Sequence, residues 1–188
     1  SGDGATHITT VKNGLIQFFL RQDMAGRDLT DYMMKIICER GYSFTTTAER
    51  LIIKDVKEKL GYCALDFEDE MHKSMTTAEC ETEYTLPDDQ ILTIGNERFR
   101  TVEPMFQPSF MGLSAEGLHG NIYNCIYKCE EDTMRQDLVK NIVITGGNVQ
   151  FQGMEQRICK ELKNLLPAKW EPLIKVHKNT DEYMNIKT

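Results

Sequence analysis

Ser1-Gly2-Asp3-Gly4-Ala5-Thr6-His7-Ile8-Thr9-Thr10-Val11 opens the chain. Two glycines flank a carboxylate, and a run rich in β-branched residues follows. Neither glycine carries a Cβ, so the backbone here can pass very close to a ligand. Backbone N–H groups exposed in such a turn make a concave anion site, and the Asp3 carboxylate can face a bound cation. Taken alone, Gly-Asp-Gly is more often an ordinary turn. A domain that opens on a loop of this kind is expected to be part of a larger protein.

Working outward, residues 5–11 and 15–20 read as strands joined at Asn13-Gly14, a favoured two-residue hairpin turn. Residues 28–39 read as a helix, with Leu29, Tyr32, Met33, Ile36 and Ile37 on an i, i+3, i+4, i+7, i+8 stripe and Gly41 ending it. Thr46 and Glu49 form a capping box for a second helix whose apolar face is Ile52, Ile53, Val56 and Leu60, with Gly61 as its stop. Met71 to Glu81 reads as a polar helix end and loop. Residues 82–94 suggest a hairpin turning at Pro87-Asp88-Asp89. Residues 141–145 read as a buried strand, followed by Gly146-Gly147 and a helix from about Met154 to Leu166. Its expected face is Met154, Ile158, Leu162 and Leu165. Strand, glycine turn, helix is a common layout for ligand approach in α/β domains.

Size allows one domain or two small ones: 188 residues, 40% hydrophobic and 27% charged. The net charge is −7, with 29 acidic and 22 basic residues, which argues against non-specific nucleic-acid binding. No apolar run approaches the length of a membrane span, and the N-terminus has no signal-peptide pattern. The cysteines Cys38, Cys63, Cys80, Cys125, Cys129 and Cys159 read as reduced, mostly buried thiols. Cys125 and Cys129 lack a matching His or Cys cluster, so a zinc site is not expected. The histidines His72, His119 and His177 read as surface or structural residues.

Four stretches together go beyond local patterning: Ser1-Gly2-Asp3-Gly4-Ala5-Thr6-His7; Ala25-Gly26-Arg27-Asp28-Leu29-Thr30-Asp31-Tyr32; Glu39 to Arg50, containing Arg40-Gly41-Tyr42-Ser43-Phe44-Thr45-Thr46; and Ile94-Gly95-Asn96-Glu97-Arg98-Phe99-Arg100. These closely resemble actin. Gln107-Pro108-Ser109-Phe110 and Ile144-Thr145-Gly146-Gly147 fit the same family in the same order. The match covers nearly the whole chain.

The resemblance implies a mixed α/β fold of the actin/Hsp70/hexokinase ATPase type, present in part and carrying an inserted smaller subdomain. It implies the large-domain half of an actin, subdomains 3 and 4. Residues 1–26 and 107–182 would be subdomain 3-like, residues 27–106 the subdomain 4-like insertion, and 183–188 a divergent tail. The other phosphate loop, the residue that positions attacking water and the opposite wall of the cleft would lie outside this chain.

The family's nucleotide residues carry over one by one. Gly2, Asp3 and Gly4 match a phosphate loop, with Asp3 facing Mg²⁺ (or Ca²⁺) through water. His7 matches a histidine that helps order water near the terminal phosphate of ATP. Gly26 aligns with a glycine near the ribose, and Lys57 and Glu58 with a pair flanking adenine and ribose. Lys54 replaces an arginine there and loses its planar fork. Gly146 and Gly147 match the turn under ATP or ADP. Gln150 and Phe151 stand where the family has a methionine and a tyrosine beside the adenine. Glu182, before Tyr183, reverses a lysine's charge at the adenine edge. The hairpin at 15–24 is slightly shorter than the family's and lacks its Pro-His pair, and Leu51 replaces a glutamate.

Implied filament contacts are Arg40, Tyr42 and Phe44 on one surface, and Phe110, Met111 and Leu113 in an apolar loop. Glu130-Glu131-Asp132 is a further candidate. Expected partners are other actin or actin-like subunits and actin-binding proteins, with no nucleic acid and no membrane span, at a cytoplasmic, cytoskeletal location. The leading expectation is an ATP-binding, filament-forming cytoskeletal protein whose complete parent hydrolyses ATP. The rival is a truncated or degenerate paralogue acting as a non-catalytic interaction module, favoured by Gln150, Glu182 and the altered tail.

Overall fold

Asn13 and Gly14 both take positive φ, 52° and 77°, which makes the turn between β1 (Thr6–Lys12) and β2 (Leu15–Gln22) the tight hairpin expected of Asn-Gly. A computed structural model describes residues 1–179. Glu182, Tyr183 and the 183–188 tail lie outside the described residues. The strands pair antiparallel from Thr6 opposite Gln22 to Lys12 opposite Leu15, with an irregularity between Thr10 and Val11.

Helix α1 (Gly26–Cys38) forms where the stripe predicts it, and Leu29, Tyr32, Met33, Ile36 and Ile37 are all buried. Asp28 reaches back to the Ala25 N–H at 2.9 Å, and Gly41, at φ 91°, terminates the turn after the helix. Helix α2 (Thr47–Leu60) starts on the capping box: Thr46 Oγ1 accepts from the Glu49 N–H at 3.2 Å, and Glu49 accepts from the Thr46 N–H at 2.7 Å. Thr46→Ala is expected to lower the unfolding free energy by about 1 kcal/mol, read from the midpoint of urea denaturation.

Helix α3 (Phe67–Thr76) begins at Asp66, whose carboxylate accepts from the Asp69 N–H at 3.3 Å. This start precedes the Met71 at which the sequence reading picked up the helix end. Strands β3 (Thr82–Thr85) and β4 (Ile91–Ile94) form the second hairpin, with Asp89 at φ 63° in its turn. The short helix α4 (Glu97–Arg100) and two 3₁₀ turns, Glu103–Met105 and Pro108–Met111, lead to α5 (Leu118–Tyr127) and α6 (Asp132–Lys140).

Strand β5 (Ile142–Ile144) pairs in parallel with β6 (Val176–Lys178), after a 3₁₀ turn at Gly147–Gln150, α7 (Met154–Leu165) and a 3₁₀ turn at Ala168–Leu173. The expectation of a fully buried strand at 141–145 is corrected: Ile144 is buried, but Val143 is 63% exposed. An all-apolar run does not reveal that alternate side chains leave opposite faces of a half-covered sheet. On α7, Met154, Ile158 and Leu162 are buried as expected. Leu165 is 41% exposed, and Leu166, where the backbone turns extended, takes the buried place instead.

The largest apolar core gathers Leu118, Ile122 and Ile126 of α5, Val139, Ile144, Val149 and Phe151, Met154, Ile158 and Leu162 of α7, with Trp170 and Val176. It also takes in Leu29, Cys63, Val102, Met105 and Phe106 from the 27–106 range. A second core joins Met33, Ile37, Ile53, Val56, Leu92 and Ile94, and a third joins Ala64, Phe67 and Phe99; both lie within 27–106. All six cysteines are free thiols, with Cys63, Cys125 and Cys129 buried and Cys38 exposed. Among the described residues no helix is long and apolar enough to cross a membrane.

Candidate functional site

Three segments distant in sequence meet at the chain's first residues. The Gly26 N–H donates to the Gly2 carbonyl at 3.0 Å and the Arg27 N–H to the Asp3 carbonyl at 2.9 Å, tying the loop to the start of α1. Those helix N–H groups would otherwise lack partners, so the loop uses them up. From the opposite side the Asn148 N–H donates to the Ser1 carbonyl at 3.2 Å, and its side-chain amide donates to Gly2 O at 2.7 Å and Ser1 Oγ at 2.9 Å. Lys57 on α2 closes the third side, its ammonium donating to Gly26 O at 2.6 Å.

Glycine is required at two of these crossings. A Cβ on Gly26 would lie 2.9 Å from Asn148 Oδ1 and 3.3 Å from both Gly2 O and the Lys57 ammonium. Gly146 sits at φ 101°, and a Cβ there would collide with the Ser1 carbonyl. Gly2, Gly4 and Gly147 are different: no atom lies within 4 Å of where their Cβ atoms would be. These three line open space, the condition for close backbone approach by a ligand.

Burial lowers the Lys57 ammonium below the ordinary lysine value; Glu58 and Asp3 pull the other way, while Lys54 and Arg50 add to the depression. An anion placed beside Lys57 would relieve that cost. Asp3 is half-exposed and lies 3.5 Å from the Arg27 guanidinium. No group of three His, Cys, Asp or Glu side chains able to hold a metal exists among the described residues. Asp3 is therefore not one ligand of a protein cage among the described residues.

The remaining expected residues are placed as follows. His7 is exposed on β1 and stacks on Phe19, with ring centroids 5.4 Å apart. Lys54 and Glu58 form a loose pair at 3.9 Å one turn apart on α2. Gln150 is exposed, whereas Phe151 is 6% exposed and belongs to the main core, one ring edge against Gly61. Leu51 is 64% exposed. Sequence reasoning missed Asn148, the buried amide that pins the loop, and Arg27, the partner of Asp3. A polar residue directly after a double glycine was the one available signal for Asn148.

The family model described as Actin matches residues 1–185. The chain belongs to the actin family. Its mixed α/β structure is that of an actin-type fold, and the loop at Ser1–Gly4 and Asn148 meet at the start of α1, which Lys57 reaches from the last turn of α2. The expected filament residues of this actin-family chain occupy two places. Phe110 is 40% and Leu113 41% exposed, flanking the half-buried Met111, and Phe110 also tilts against Phe67 at 5.2 Å. Tyr42 and Phe44 stack on each other at 6.4 Å and pack against the second core. Arg40 is engaged within the chain, bonding Glu97 at 2.6 Å and lying 3.6 Å from Glu81. Glu131 pairs with Lys12 at 3.1 Å and Asp132 with Arg135 at 3.0 Å.

Proposed function

We propose that this actin-family chain supplies one side of a Mg·ATP (or Mg·ADP) site in a filament-forming cytoskeletal protein whose complete parent hydrolyses ATP. The observation that carries the reading is three open glycines, Gly2, Gly4 and Gly147, on two loops tied to each other and to Gly26, whose carbonyl accepts from the buried Lys57. The backbone at these glycines would lie against phosphate oxygens, and Gly26, near the ribose, would let Asn148, Gly2 and Lys57 close on the start of α1 beneath it. Lys57 would place a desolvated positive charge nearby, with Lys54 and Glu58 on the outer turn of the same helix. Asp3 would hold a water of the metal's shell and His7 would help order water near the terminal phosphate. Bound Mg²⁺ (or Ca²⁺) would neutralise phosphate charge. Phe110, Met111 and Leu113 offer neighbouring subunits or actin-binding proteins an exposed apolar loop.

The sign of Lys57's shift yields a test. Its charged form favours phosphate, and its value is already lowered by burial. Nucleotide affinity is therefore expected to fall as pH rises through that lowered value. Lys57→Met is expected to bind more weakly and to lose the pH dependence, measured by calorimetric titration with Mg·ATP across the alkaline range. An identical pH profile in both proteins would exclude Lys57 from the site.

A second reading rests on the adenine side. Phe151 is packed in the core and Gln150 replaces the family's methionine, which favours an interaction module that assembles without turnover. Phosphate release during assembly separates the readings: its presence supports the first, and assembly without it supports the second.

A further inference from the structure

A polar cavity of about 430 Å³ lies away from the glycine loops, where the 27–106 range meets the turn before α7. Its size is within the range of small-ligand sites. Tyr62, Glu70, Lys73, Glu79, Arg98 and Gln152 contribute its chemistry.

Backbone contacts hold its frame. The Tyr62 N–H donates to Arg98 O at 3.4 Å and the Cys63 N–H to Gln152 O at 2.8 Å. Tyr62 and Gln152 also form an isolated parallel bridge. Gly153, at φ 87°, permits this close crossing, because a Cβ there would collide with the Cys63 carbonyl.

Arg98 is half-buried, and its partners fix it without neutralising it. Nε donates to Leu60 O at 2.9 Å and Nη1 to Cys80 O at 2.8 Å, while the guanidinium lies 4.9 Å from the centre of the Tyr62 ring. It has no ion pair among the described residues, and its Nη2 donors are unused there. A planar guanidinium held in this way is matched by a carboxylate, which it can bind with two parallel hydrogen bonds.

Negative charge lies elsewhere in the lining. Glu70 accepts from the Tyr62 hydroxyl at 2.8 Å and lies 3.7 Å from Lys73. Burial, and after it the Glu70 hydrogen bond, raise the Tyr62 phenol, so it keeps its proton and leaves the Glu70 carboxylate its charge. Glu79 is exposed just past the end of α3, whose last carbonyls favour a cation. Arg98 and Lys73 thus oppose Glu70 and Glu79. A ligand of one charge sign would meet like charge somewhere in this cavity, whereas a zwitterion can meet opposite charge at each end.

We propose that this cavity binds a small zwitterion of the dipeptide class, its carboxylate on Arg98 and its ammonium at Glu79 and the end of α3. The Gln152 side chain and the hydroxyls of Ser74 and Thr77 would face the peptide group between the charged ends.

Calorimetric titration of the 188-residue chain with L-alanyl-L-alanine tests the assignment. One saturable site is expected, filled by about 5 mM dipeptide. N-acetylation removes the ligand's ammonium, and a C-terminal amide removes its carboxylate. Each capped form is expected to bind at least about tenfold more weakly. Glu79→Gln, at an exposed side chain, is expected to weaken the uncapped dipeptide by about tenfold. A titration still unsaturated at about 5 mM, equal binding of either capped form, or unchanged affinity in Glu79→Gln would overturn the proposal. The caps change only the ligand, so that arm does not depend on a variant folding.

Discussion

Arg157→Met is expected to lower the unfolding free energy by about 3–5 kcal/mol, the range for stripping one partner from a buried ion pair. Arg157 and Glu103 have side chains only 5% and 1% exposed. The guanidinium grips the carboxylate with both ends, at 2.7 and 3.0 Å, and also donates to Ala64 O at 2.7 Å and to Glu161 at 2.6 Å. It stands 4.7 Å from the centre of the Phe106 ring. One side chain on α7 thereby fastens the 64–65 turn, the 103–106 turn and its own helix. Methionine keeps the apolar stem and leaves Glu103 buried with Gln107 as its remaining side-chain donor, at 2.9 Å.

Burial already pushes the Glu103 carboxyl above the ordinary carboxylate range, opposed by Arg157. Without the arginine the folded value rises further above the unfolded one. Protonation then favours the native state, so the variant's deficit should be smallest at acid pH. It should grow as pH rises from the unfolded toward the raised folded value. Replacing both partners, Arg157→Met with Glu103→Leu, should recover much of the loss, because no charge is left stranded. Urea denaturation at several pH values reads all three. A single-variant loss below about 1 kcal/mol would mean the pair is not what closes this core.

Gly146→Ala and Gly147→Ala are expected to fail differently, although they change adjacent residues. Gly146 holds φ 101° and ψ 173°, a region that side chains avoid, and its Cβ would strike the Ser1 carbonyl. Backbone on both sides of the contact leaves little room to yield. The cost is about 1–3 kcal/mol for the dihedral alone, and the displaced Ser1–Gly2 segment should weaken nucleotide binding by at least about tenfold. At Gly147 no atom lies within 4 Å of the new methyl, so stability should change by no more than about 0.5 kcal/mol. The methyl would nonetheless occupy the space assigned to phosphate, and affinity should fall by a comparable factor. Thermal unfolding with and without Mg·ATP separates fold from site. Equal affinity in Gly147→Ala and the parent chain would remove that turn from the phosphate surface.

Legibility in the sequence followed how local each determinant is. α1 and α2 were readable because apolar spacing, Thr46-Glu49 capping and the stop at Gly61 all lie within a few residues of the helix they define. Asn13-Gly14 set its hairpin for the same reason. α5 offered no such stripe: Leu118, Gly120, Asn121, Ile122, Cys125 and Ile126 are all buried, so more than one face is covered. Asn121 is tolerated there because Gln22, 99 residues away in sequence, accepts its amide at 3.2 Å. The site divides the same way. Its glycines announce themselves in sequence, and the family resemblance located Lys57. Asn148 and Arg27 acquire their roles only when the loop at Ser1–Gly4 folds against them.

The central claim is that the open glycines around Ser1–Gly4 and Gly147, with Lys57, form a phosphate-binding surface. Calorimetric titration of the 188-residue chain with Mg·ATP, alongside adenosine, tests it most directly. The account predicts one saturable site for Mg·ATP and at least about tenfold weaker binding of adenosine, which lacks the phosphates. No saturation by about 1 mM Mg·ATP, or adenosine binding as well as the nucleotide, would contradict it.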